Sequence, residues 1–162
     1  MKWKKWLENW DMSSLRITAP FLEMEWSPSE PDKGAAWDLY IELLTRVATQ
    51  PLAEDAGDEA AALASVYSLF PTTRAIIREH GRDCIEFTKL AIVVLNQVVR
   101  PFTTKWHRVS GEDGLSAPDV ASAFREELRQ LQQTLVTYSA MLADMAGVED
   151  LTSLEPQPEE SE

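Results

Sequence analysis

A single cysteine, Cys84, excludes an intramolecular disulfide and any zinc site built on thiolates. Two histidines are too few for a His-rich metal centre, and no E-x-x-H pair is present for a di-iron bundle. Six glycines leave little for a phosphate-cradling loop, and neither G-x-x-x-x-G-K nor G-x-G-x-x-G occurs. Long apolar runs are missing as well. The longest, Leu90 to Leu95, ends at Asn96 and Gln97, far short of the roughly 20 residues that span a bilayer. Lys2, Lys4 and Lys5 are not followed by an export signal's apolar segment, because Glu8, Asn9 and Asp11 interrupt it. Cations are scarce: 15 Lys+Arg stand against 27 Asp+Glu, for a net charge of -12. That balance argues against a general nucleic-acid binder, which needs a basic face for phosphates. The expectation from these absences is a cytoplasmic protein with no cofactor and no metal.

Hydrophobic residues make up 44% of the 162, enough for one packed domain. Their spacing is helical. Trp3, Trp6, Leu7 and Trp10 fall at i, i+3, i+4 and i+7, one face of a short helix. Residues 12–31 carry Pro20, Pro28 and Pro31 among Phe21, Leu22, Met24 and Trp26, the pattern of an extended apolar arm lying over a core. Helices are expected over 32–50, capped near Asp32, and over 58–80, interrupted at Pro71 and closed by Gly81. A third is expected over 83–107. It is apolar nearly all round, with Leu95 in the core, Asn96 as a buried polar residue and a kink at Pro101. Ser116 and Asp119 form an S-x-x-D capping box for a fourth helix, 116–146. Val120, Phe124, Leu128, Leu131, Leu135, Tyr138, Leu142 and Met145 run along it as a heptad-like seam that needs a partner helix. After Gly147, six acids and no base predict a tail that is disordered from about Glu155. The fold class is therefore all-α: a bundle of four main helices over 32–147, a Trp-bearing N-terminal helix and arm over 1–31, and an acidic tail over 148–162.

Two strings carry an arginine and a histidine at short spacing: Arg74 to His80, and Arg100 to His107. Both fit the loose R-x4-6-H pattern and resemble HEPN-type ribonucleases, which are small helical bundles and often dimers. The resemblance implies an RNA phosphate held between the two side chains, with His as acid/base and Arg stabilising the anion. Those strings usually place a polar residue after the arginine, where this chain has Ala75 and Pro101. The plainer reading puts Arg74 on a solvated helix face and His80 at a helix C-terminus, where the dipole favours it.

The string Arg100 to Arg108 also gathers Lys105, His107, Phe102 and Trp106 in an otherwise acidic chain, a composition found at interface hot spots. The plainer alternative is that Phe102 and Trp106, at i and i+4, continue the core stripe. Cys84 reads as core packing. The expected function is a non-enzymatic helical module that binds another protein or its own copy, with peripheral membrane contact unlikely to be its role. The partner-binding candidates are Trp3, Trp6, Trp10, Arg100, Lys105, Trp106 and His107. The alternatives are a HEPN-like nuclease or its inactive relative, using Arg100 and His107 or Arg74 and His80, and an acidic mimic of nucleic acid.

Overall fold

The computed structural model describes residues 1–12, 20–46, 49–50, 52, 58–112 and 114–154. Seven α segments follow in order: α1 (Trp3–Asn9), α2 (Glu30–Leu44), α3 (Glu59–Tyr67), α4 (Leu69–His80), α5 (Ile85–Val94), α6 (Arg100–Glu112) and α7 (Pro118–Ala146). Ser68, between α3 and α4, keeps a helical backbone, and α5 runs into α6 through a π turn over Leu95–Val99. The described residues therefore make five helices, not a bundle of four, because α1 belongs to the packed body. They contain no strand, only an isolated bridge between Lys2 and Glu25.

The central helix is α2 rather than the expected 83–107 segment. It packs along α7 and also against α4 and α5. The α7 seam from Phe124 to Met145 is buried, chiefly by α2 of the same chain and at its Phe124 end by Phe102 and Trp106 of α6, so the seam is not an open face for a second copy. Ile92 is 52% exposed, Asn96 and Gln97 are exposed, and Leu95 is only half-buried. Asn96 is thus corrected from a buried residue to a surface one. Its Oδ1 accepts a 3.1 Å hydrogen bond from Arg100 Nε.

The π turn explains why Pro101 does not break this helix. Arg100 N–H donates to Leu95 O, five residues back, just where proline removes the next donor. At α7 the expected capping box is absent. Pro118 at the first turn makes Ala117 the N-cap, and no side chain caps it. The working box lies at α2, where Ser29 and Asp32 cap each other.

Asp32, 1% exposed, joins two helices. Its Oδ2 accepts from Ser29 N–H at 2.8 Å and from the Ser29 hydroxyl at 2.8 Å. Its Oδ1 accepts from Phe87 N–H at 3.0 Å, in the first turn of α5. Cys84, the α5 N-cap, makes no side-chain cap, so Asp32 supplies it from another helix. The Cys84 thiol is buried, as expected, and donates to Gly81 O at 3.1 Å.

The arm packs over the core where it is described. Phe21, Leu22 and Trp26 lie against the buried cluster. Trp3 N–H donates to Met24 O and Trp26 N–H to Met1 O, tying the N-terminus to residues 24–26. The Leu15–Thr18 stretch, most of the 51–57 loop and the tail from Glu155 lie outside the described residues. Before that point Asp150 accepts from Tyr40 OH at 3.1 Å, and Leu151 N–H donates to the same hydroxyl, so the start of the 148–162 segment is tied to α2. Glu59–His80 is, by length and composition alone, a helix that could cross a membrane, contrary to the run-length expectation. In the fold its Ala62, Leu63, Val66, Leu69, Phe70 and Ile76 are core residues.

Candidate interaction surface

The tryptophan stripe faces inward. Trp3 and Trp6 are 0% and 1% exposed. Trp3 Nε1 donates to Glu86 on α5, and Trp6 Nε1 donates to Asp144 on α7 at 2.7 Å. Trp6 stacks on Trp26 at 4.7 Å, and Trp3 meets Phe21 edge-on at 5.3 Å. The expectation that Trp3 and Trp6 present themselves to a partner is corrected. A seven-residue helix has too little intrinsic stability to stand alone, and its apolar face is satisfied by its own bundle. Trp10 is half-buried against the same cluster. With Gln97, Val98, Gln133, Thr134 and Thr137 it lines an open, largely polar groove between the π turn and α7.

Two residues of the basic string are also turned inward. Trp106 is 3% exposed and meets Phe124 edge-on at 5.2 Å. Its Nε1 donates to Glu127 Oε2 at 2.9 Å, and Lys105 pairs with the other oxygen of the same carboxylate. Trp106 thus sits in the joint between α6 and α7, and its assignment as a partner contact is corrected, whereas Lys105 stays exposed at the rim of that joint. Phe102 is buried beside them, as the core reading required.

Arg100 and His107 have a different setting. Seven residues apart, they share one face of α6, about 10 Å apart along the axis. The Arg100 guanidinium lies 4.7 Å from the Phe70 ring, and the His107 ring meets Tyr67 edge-on at 5.0 Å. Tyr67 and Phe70 are themselves 5.6 Å apart. The two side chains therefore bracket an aromatic pair at the α3–α4 junction. Phe70 is buried and Tyr67 is 47% exposed.

Arg74 and His80 are not brought together. Six residues place them about 120° apart around the helix. Arg74 is exposed, whereas His80 Nε2 lies 2.6 Å from Asp38 Oδ2 on α2. The imidazole covers Gly34, where an added Cβ would stand 2.8 Å from Cε1. Gly34 is therefore the residue that lets α2 and α4 approach at this point.

Farther along α4 and just past its end the structure shows two arginines that were not singled out from the sequence. Arg78 follows Arg74 by one turn of α4, and Arg82 lies in the turn after Gly81. All three are exposed. None of them has an ion pair among the described residues, although Glu79 and Asp83 adjoin them in sequence. Arg46, Arg125 and Arg129 are instead paired with Glu42, Glu59 and Glu126. The i, i+4 spacing of Arg74 and Arg78 was legible in the sequence. Their lack of acidic partners was not, because that depends on what α2 and α6 bring alongside.

Elsewhere the electrostatics serve the fold. The Arg125 guanidinium bonds Glu59 at 2.8 Å and holds that carboxyl below the usual carboxylate range. Glu25 is lowered by its hydrogen bond to the Met1 ammonium. Burial alone pushes the Tyr138 hydroxyl well above the usual phenol value. No group of three or more His, Cys, Asp or Glu suited to a metal ion occurs among the described residues.

No family model matches this chain, and no curated protein or solved structure matches it either.

Proposed function

We propose that the chain is a non-enzymatic helical interaction module and that it contacts another protein through the basic, aromatic surface where α3, α4 and α6 meet. The observation that supports this is the exposed set Arg74, Arg78 and Arg82 along and just past α4, without an ion pair among the described residues, with half-exposed Tyr67 just before the start of the same helix, in a chain of net charge -12. An acidic protein has carboxylates to spare for its own arginines, and among the described residues these three go without. Arginine and tyrosine are also the side chains that carry most energy at protein interfaces. Arg100 and His107, expected as partner contacts from the sequence, belong to this surface.

The test is site-specific photo-crosslinking in the native host. A benzophenone side chain at Tyr67 should give an adduct with a discrete protein, and the same group at Ala123, exposed on α7, should not. No adduct at position 67, or the same adducts at both positions, refutes the reading.

A nuclease reading keeps one point in its favour, the shared face of Arg100 and His107. It requires metal-independent RNA cleavage by the purified chain, abolished by His107→Ala. The interaction reading expects no cleavage.

A further inference from the structure

Resting on that reading, we infer the chemistry of the partner: an acidic helical segment that lies along α4, its carboxylates one helical turn apart.

Arg74 and Arg78 project from consecutive turns of one face, about 6 Å apart along the axis. A second helix with Glu or Asp at i and i+4 repeats that spacing and presents one carboxylate to each guanidinium. Arginine suits this use because its planar fork grips a carboxylate with two parallel hydrogen bonds. Arg82 extends the cationic edge past the end of α4. Tyr67, seven residues before Arg74 on the same face, adds an exposed aromatic for an apolar residue of the partner.

The helix dipole favours one cation in the last turn of α4, which accounts for Arg78. It does not account for Arg74, a turn earlier, or for the absence of ion pairs at all three positions.

The charge of the whole chain narrows the class of ligand. At physiological salt, interactions beyond about 8 Å are screened, so a short segment seated on the strip feels the three arginines and, of the acids, chiefly the adjoining Glu79 and Asp83. A nucleic acid or an anionic membrane extends past the strip and meets the surrounding acids. Affinity for nucleic acid also grows with the number of phosphates neutralised, and three arginines neutralise few. Two copies of the chain would each bring a charge of -12 to the contact.

The experiment uses the full chain and a fluorescein-labelled, helix-favouring peptide of about sixteen residues, long enough to be partly helical alone. It carries Glu at every fourth position on one face and a single Leu, and a twin carries Gln in place of each Glu. Fluorescence anisotropy should show binding of the Glu peptide at low salt and a loss of about tenfold or more with the Gln twin. Arg74→Glu with Arg78→Glu should lose as much, with a cooperative circular-dichroism melting curve lowered only by the few degrees that an acid in the last turn of α4 costs. Because both arginines are exposed, the double variant should fold, and Arg74→Gln with Arg78→Gln should give a smaller loss in the same direction.

Equal binding of the two peptides, undiminished binding by the Glu variant, or tighter binding of a single-stranded RNA of similar length overturns the inference. So does a sedimenting dimer of the chain that the variant dissolves, which would make the occupant a second copy. A failed peptide titration with a persisting adduct at position 67 refutes the acidic partner and leaves the interaction module standing. Loss of that adduct refutes both.

Discussion

Replacing Asp32 with alanine removes one carboxylate that serves two helices, as half of the α2 capping box and as the side-chain cap of α5. The side chain is 1% exposed and accepts three hydrogen bonds, from Ser29 N–H, the Ser29 hydroxyl and Phe87 N–H. Loss of an ordinary N-cap costs about 0.5–2 kcal/mol. Here the α5 donor is left in a buried site as well, and an orphaned buried donor costs about 1–3 kcal/mol. Asp32→Ala should therefore destabilise the chain by about 2–4 kcal/mol. Asp32→Asn should recover only part of this, because its amide nitrogen must face one of the donors. The natural comparison is Asp58, which caps α3 alone through Ala60 N–H at 2.8 Å on the exposed surface. Asp58→Ala should cost about 1 kcal/mol. Urea unfolding measures both, and the midpoint should shift without a change in slope. If Asp32→Ala costs no more than Asp58→Ala, the shared cap between α2 and α5 does not hold.

Gly34→Ala should destabilise by about 1–3 kcal/mol, because its Cβ meets the His80 ring. Since His80→Ala removes the obstacle, the two changes should be strongly non-additive in a double-mutant cycle. Glu59, whose carboxyl is lowered by Arg125, binds a proton more readily in the unfolded chain than in the folded one. Its contribution is complete above the ordinary carboxylate pKa and is lost as pH falls through the lowered value. Glu59→Gln should therefore lower the melting temperature at neutral pH and flatten its decline below about pH 4. Deleting residues 1–11 should lower the melting temperature, because it removes Trp3, Trp6 and Leu7 from the core. An unchanged melting temperature would return the stripe to the surface.

Helix content was legible because it is carried by period: the α7 seam falls where spacing places it, and Gly81 and Gly147 close α4 and α7, whereas Pro71 lies inside α4 and α2 ends at Leu44, short of 50. Boundaries and caps were less so. Ser29 and Asp32 satisfy the same sequence rule as Ser116 and Asp119. Only the first pair caps a helix, because Pro118 at the first turn of α7 puts the N-cap at Ala117, one residue past Ser116. The misplacements share a cause. Periodicity shows that a face is apolar and says nothing of what covers it. The heptad seam of α7 suits a second copy as well as it suits α2, and the Trp3–Trp6 stripe suits a partner as well as the bundle. Covering is decided by loop length and by long-range pairs such as Trp6 with Asp144, which are 138 residues apart. For the same reason Arg74 was named for its distance from His80, while its lack of a carboxylate needed the assembled fold.

The abundance of tryptophan and the excess of acid, which looked like separate features of the sequence, meet in the structure. Three indole N–H groups, from Trp3, Trp6 and Trp106, donate to Glu86, Asp144 and Glu127. A buried indole needs an acceptor, and a carboxylate at the edge of the core is a strong one. Trp26 is the exception: its buried Nε1 has no hydrogen-bond partner. A cycle of Trp6→Phe and Asp144→Ala isolates the bond from the packing lost with the larger ring. Asp144 is exposed and regains water when released, so the coupling should be about 1–1.5 kcal/mol, at the low end for a bond to a charged group. Trp26→Phe should cost packing alone and give no comparable coupling with any nearby acid. A coupling near zero for Trp6 and Asp144 would mean that burial holds α1 down by itself and that the carboxylates are incidental to it.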